Sequence, residues 1–149
     1  MKKGWLFLSC LAAFFFTWSC NRVSLPPLFF TPKAQSIDNL KVPPGFQISY
    51  FAKGVKNARA MCLGDKGTLF VGSRKEGKVY AVIDKNKDYQ AEEVLVIAHS
   101  LGMPTGITFK NGALYVAEVS KIWRYDNIES QLQNPPEPVL VYGDLPTET

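Results

Sequence analysis

The sequence predicts an all-β fold: about two four-stranded blades of a β-propeller. Three observations carry that reading. The stretch "GTLFVGSR" (Gly67–Arg74) returns 45 residues later as "GALYVAEV" (Gly112–Val119). Short apolar or alternating runs are separated by turns rich in Gly, Asn and Pro. The order strand, turn, strand, turn, strand, loop, strand is the same in both halves, and that order at such a period is the signature of a propeller blade. Repetition has a physical cause, because one four-stranded sheet exposes both faces and its neighbours cover them.

The chain opens with a different kind of segment. "MKKGWLFLSCLAAFFFTWSC" has a basic start (Lys2, Lys3) and an apolar run from Trp5 to Trp18. This is a secretory leader pattern, with an apolar stretch short for a membrane span. The run ends on a small residue and a cysteine, which resembles a bacterial lipoprotein cleavage box with Cys20 as the lipidated residue. Residues 1–19 are therefore expected to be a signal peptide of lipoprotein type, and the protein to be exported and held at a periplasmic membrane surface; plain cleavage or an uncleaved anchor are the alternatives, and either also implies export. Loss of Lys2 and Lys3 takes the formal charge from +4 to +2, a mild value. No stripe of Arg and Lys alternates with aromatics, which argues against a nucleic-acid partner.

Residues 20–39 carry Pro26, Pro27 and Pro32 and show no sustained period, so they are expected to form an extended tether. The propeller part is expected at 40–149, with blade one at about 40–100 and blade two at about 101–149. "FQISYFA" alternates as a half-buried strand would. "ARAMCLG" follows the turn residue Asn57, and "GDKG" places a glycine where a turn needs positive φ. "TLFVGSR", "KVYAVID" and "EVLVIAHS" read as strands. The second blade repeats the scheme: "MPTGITF" answers "NARAMCL", "KNG" answers "DKG", and "KIWRYD" answers "KVYAVID". A short helix is expected in "NIESQLQ", then a Pro-rich loop and the strand "VLVYGDL".

Two ordered sets of segments carry a family resemblance. The first is "PPGF" (Pro43–Phe46), "NAR" (Asn57–Arg59), "GTLFVGSR" and "GKVYAVID" (Gly77–Asp84). The second is "GMPTGITFKNGALYVAEVSKIWRYDNIE" (Gly102–Glu129) and "NPPEPVLVYGDLPTET". Together they resemble the N-terminal part of the glucose/sorbosone dehydrogenase family, in its sorbosone dehydrogenase-like branch. The resemblance implies a six-bladed exported propeller that oxidises a sugar or related alcohol or aldehyde. It implies pyrroloquinoline quinone and calcium as cofactors of the full propeller, neither expected to be bound by this chain alone, and a histidine as general base. The segment bearing that histidine is expected beyond Thr149, so this chain alone is expected to be inactive and to lack the remaining blades. The single histidine, His99, falls at the end of an outer strand and does not match the family's catalytic position.

Candidate ligand residues follow from the blade pattern. Arg59 and Thr105 enter the innermost strands, and Arg74 and Glu118 end the second strands, so all four are expected at one face of the ring. A quinone with three carboxylates suits Arg59 and Arg74, because a guanidinium pairs with a carboxylate through two hydrogen bonds. Thr105 and Glu118 are substrate-face candidates. The competing expectation for these positions is an ion pair between blades, such as Arg74 with Glu118.

The loop "DKNKDYQAEE" sets Asp84, Asn86 and Asp88 at alternate positions, with the spacing of an oxygen-ligand calcium loop. Tyr89 stands where such a loop turns on glycine, and Leu95 where a bidentate Glu belongs, so a solvated strand connection is the expectation. Cys62 lies in the apolar run "AMCL" and is expected to be a small buried hydrophobe rather than a reactive thiol. Two other classes stay open: a non-catalytic lipoprotein binding module, and another propeller enzyme such as a lactone hydrolase. The last would need a metal set of carboxylates and Asn that this sequence lacks.

Overall fold

A computed structural model describes residues 37–147. The expected leader, Cys20 and the expected tether up to residue 36 lie outside the described residues. Among the described residues, no helix is long and apolar enough to cross a membrane.

Eight strands form two four-stranded antiparallel sheets, each a simple meander. The first holds β1 (Ala58–Leu63), β2 (Leu69–Ser73), β3 (Val79–Ile83) and β4 (Glu93–Ala98). The second holds β5 (Gly106–Lys110), β6 (Ala113–Ala117), β7 (Ile122–Tyr125) and β8 (Val139–Tyr142). Val, Ile, Phe, Tyr and Trp fill these strands, the residues that suit a pleated surface buried on one side or both. The connections obey local turn chemistry. Asn111 (φ 51°) and Gly112 (φ 78°) close the β5–β6 hairpin, where a two-residue turn requires positive φ at both positions. Gly67 (φ 91°) does the corresponding work between β1 and β2.

The expected strand over "FQISYFA" does not form. Residues 46–52 pair with no neighbouring strand; Phe51 accepts one backbone bond, from the Ala91 N–H at 2.7 Å. Phe51, Ala52 and Val55 instead lie across the outer face of the first sheet, on Val71, Tyr80 and Val82. Apolar contact on one side satisfies the same alternation that a strand would, without a ladder. The helix expected in "NIESQLQ" shrinks to one 3-10 turn, Ile128–Ser130.

The core lies between the sheets. Phe70, Val79, Ala81 and Ile97 of the first sheet meet Leu114, Val116 and Tyr125 of the second. Phe70 stacks on Phe109 with ring centres 5.7 Å apart and planes 10° from parallel. At the strand ends the backbones come closer still. A Cβ on Gly72 would stand 2.3 Å from the Pro104 carbonyl oxygen, so β2 tolerates only glycine against the entry to β5.

A polar lock joins the opposite ends. Glu129, in the 3-10 turn after β7, reaches back to the β1–β2 turn. Its carboxylate accepts the backbone N–H of Lys66 (3.1 and 3.0 Å to its two oxygens) and of Thr68 (3.4 Å). The Lys66 ammonium donates to Ser130 Oγ at 3.0 Å, and Gln133 Nε2 donates to Glu93 Oε1 at 2.8 Å. Glu129→Ala removes the acceptor of the buried Thr68 amide and should cost about 1–2 kcal/mol, read as a lower midpoint in urea followed by far-ultraviolet circular dichroism. An unchanged midpoint would show that the lock contributes nothing to holding the sheets together.

Candidate strand-end binding face

The four ligand candidates gather at one end of the two sheets. Ala58 pairs with Ser73, and the Arg74 N–H donates to the Asn57 carbonyl at 3.1 Å, so Arg59 and Arg74 flank the same strand ends. Asn57 takes the left-handed conformation (φ 53°) and its amide donates to Glu76 Oε1 at 3.0 Å, which shapes the entry to β1. In the second sheet Gly106 pairs with Ala117, and the Val119 N–H donates to the Gly102 carbonyl at 3.0 Å. Thr105 and Glu118 therefore flank the equivalent ends. The contact of Pro104 with Gly72 brings these two pairs of ends side by side.

Arg59 occupies a β-bulge. The β1–β2 register shifts between Ala58 and Ala60, leaving Arg59 as the extra residue. A bulge twists a strand and re-aims the extra side chain, and bulges concentrate beside binding sites. Among the described residues, neither the Arg59 nor the Arg74 guanidinium has a hydrogen-bond or ion-pair partner. Arg124 differs: it bonds Asp126 at 2.7 and 3.0 Å.

Glu118 does not pair with Arg74. One of its oxygens accepts the Gly102 N–H and the other accepts Trp123 Nε1–H at 2.7 Å. The carboxylate thus fixes the loop before β5 and the indole of β7. Thr105 donates its N–H to the Met103 carbonyl at 2.7 Å, closing a tight turn at the entry to β5. His99 is exposed just past β4, with Nδ1 3.0 Å from Ser100 Oγ. It lies on an outer recess of about 490 Å³ with Trp123, Tyr125 and Pro136, past the end of the outer strand β4. A recess of about 510 Å³ beside Ile83, Leu95 and Glu129 opens at the opposite end of the strands.

The loop between β3 and β4 brings Asp84, Asp88 and Glu92 together, with one oxygen of each within 4.8 Å of the others. Those carboxylates already serve the backbone. Asp84 accepts the N–H groups of Lys87 (2.7 Å) and Tyr89 (2.9 Å), Asp88 that of Gln90 (2.8 Å), and Glu92 that of Lys85 (2.7 Å). Asn86 Oδ1 accepts the Asp88 N–H at 2.9 Å. Tyr89 takes φ 67° at the position a calcium loop gives to glycine. These are the bonds of a self-capped strand connection.

Cys62 faces the core from β1, beside Phe70. Burial pushes its thiol up to about 11. The thiolate is the reactive form, so at pH ~8 it should label with a maleimide far more slowly than an exposed thiol, and faster as pH approaches the raised value. The measurement uses a chain with Cys10 and Cys20 changed to serine. Fast labelling at neutral pH would contradict the packing of β1.

Two antiparallel four-stranded meander sheets packed face to face define the class: an all-β, two-sheet protein. Residues 32–131 match the family described as "Domain of unknown function (DUF7133)", and the chain belongs to that family. An uncharacterized protein of Borreliella burgdorferi is 30% identical over 95 residues, which cover 62% of this chain and 23% of the relative. The chain thus spans under a quarter of the length of that relative. No solved structure matches.

Proposed function

We propose that the chain forms two blades of an exported propeller that oxidises a sugar-type alcohol or aldehyde with pyrroloquinoline quinone. The observation that carries the proposal is the pair of guanidiniums, Arg59 and Arg74, which have no partner among the described residues and stand at the strand ends where the two sheets meet. Two consecutive four-stranded meanders with related sequences support the blade reading. A ring of such blades gathers these strand ends around its channel.

The donor chemistry fits the quinone and does not fit a calcium ion. Two guanidiniums with no partner among the described residues suit a ligand bearing several carboxylates. A calcium ion needs six to eight oxygens. Glu118 is already bonded to Gly102 and Trp123, and Glu76 accepts from Asn57. No step through calcium is assigned to these residues. Arg59 and Arg74 bind and orient the cofactor's carboxylates; Glu118 positions Trp123 and the β5 entry. The non-catalytic binding module is the competing reading, and the same titration separates the two.

The purified chain should bind pyrroloquinoline quinone, read by its absorbance and by quenching of tryptophan emission. Arg59→Ala and Arg74→Ala should each weaken binding about tenfold or more, the usual loss for a charge-assisted hydrogen bond. Binding that is absent, or indifferent to both substitutions, would remove the proposal and favour the binding-module reading.

A further inference from the structure

The connections between strands divide the charge of the folded part unequally. One end gathers the approach to β1, the turns 74–78 and 118–121, the loop 99–105 and residues 143–147. Backbone bonds tie these segments together. The N–H groups of Arg74, Leu101, Val119 and Leu145 donate to the carbonyls of Asn57, Gly77, Gly102 and Ser120 at 3.0–3.1 Å. This end carries Lys56, Arg59, Arg74, Lys75, Lys78 and Lys121 against three carboxylates, Glu76, Glu118 and Asp144. The connections at the other end, 64–68, 84–92, 111–112 and 126–138, carry seven carboxylates against three lysines. Among the described residues, none of the six cations of the first end has an ion-pair partner. Lys121 lies over the Trp123 ring, 5.6 Å from its centre.

The same end displays apolar side chains that the core does not take. Met103 is 45% exposed and Val119 46%. The Val119 bond to Gly102 makes the two neighbours, and Lys121 shares the turn of Val119. Met103 holds φ 52°, a left-handed conformation that few residues with side chains adopt. Two tight turns keep it there: the Met103 N–H donates to the Leu101 carbonyl at 3.1 Å, and the Thr105 N–H to the Met103 carbonyl at 2.7 Å. Sheets added beside these two would cover their faces, not the tips of these connections.

We propose that this end rests on a lipid bilayer with anionic headgroups. The cations meet lipid phosphates, and Met103 and Val119 enter the boundary between headgroups and acyl chains. A soluble anion would satisfy the cations and leave both apolar tips in water; a bilayer offers negative charge outside and hydrocarbon beneath. Each cation brought to such a surface strengthens attachment about fivefold. The choice of a bilayer also rests on the leader pattern of residues 1–20. Residues 21–36 can span at most about 55 Å, so a leader held in the membrane keeps Ile37 within that distance of its surface. The proposal does not depend on the quinone reading.

The test uses the full chain with Cys10 and Cys20 changed to serine and an environment-sensitive dye on Val119→Cys. Labelling at neutral pH spares Cys62, whose raised pKa keeps it protonated. The chain is mixed with vesicles of phosphatidylcholine, or of equal parts phosphatidylcholine and phosphatidylglycerol. The dye should shift to the blue on the mixed vesicles only, and return to its aqueous emission in about 1 M salt, where charges are screened within about 3 Å. The same dye on Asn134→Cys, at the other end, should keep its aqueous emission on both. Lys75→Glu combined with Lys121→Glu, both exposed, should remove the shift with an unchanged circular dichroism spectrum. Aqueous emission at position 119 on mixed vesicles, an equal shift on both lipids, or an equal shift at position 134 would overturn the proposal. Flotation with phosphatidylcholine vesicles reads the leader separately. A chain that stays behind there, yet shifts at position 119 on mixed vesicles, loses the leader reading and keeps the lipid-facing end.

Discussion

Everything in this structure depends on two sheets approaching closely enough to share one core. Neither sheet could hold its fold alone, since a four-stranded meander with one uncovered apolar face buries too little. Phe70 stacked on Phe109 fills the middle of the interface, and Pro104 over Gly72 sets the separation at one end. Glu129 fixes the other end by bonding the β1–β2 turn. The close approach at the Gly72 end also brings Arg59, Arg74, Thr105 and Glu118 onto a common rim. The candidate binding face is thus a by-product of sheet packing, not of any loop built for it.

The same geometry explains the uneven distribution of polar residues. Three carboxylates at the rim and the turns are tied to backbone N–H groups: Glu118 to Gly102, Glu129 to Lys66, Asp84 to Lys87. Each fixes a connection that a short strand could not hold rigid. Among the described residues the Arg59 and Arg74 guanidiniums have no such partner, which leaves them with capacity for an outside anion.

Much of the fold was legible in the sequence because it rests on local chemistry. The hairpins are marked by Asn111–Gly112 and Gly67, and the apolar alternation of β2 and β6 sets which residues enter the core. The duplicated segments correctly implied two sheets of the same topology. Other features were not legible, because they depend on partners distant in sequence. Residues 46–52 alternate like a strand, yet no free strand edge meets them, so they lie on a face. Glu129 sits in a polar run that gives no hint of bonding a turn 63 residues earlier. The bulge at Arg59 follows from a register slip between β1 and β2 that no local pattern encodes. The place of Glu118 just past β6 follows from the repeat, whereas its bonds to Gly102 and Trp123 arise only once β5, β6 and β7 are assembled.

Native-state hydrogen exchange tests the shared core most directly. If the sheets form one cooperative unit, the backbone amides of Phe70, Ala81, Leu114 and Val116 should exchange through the same opening, with matching free energies and denaturant dependence. Amides of β6 that exchange through a separate, much easier opening than those of β2 and β3 would contradict the account.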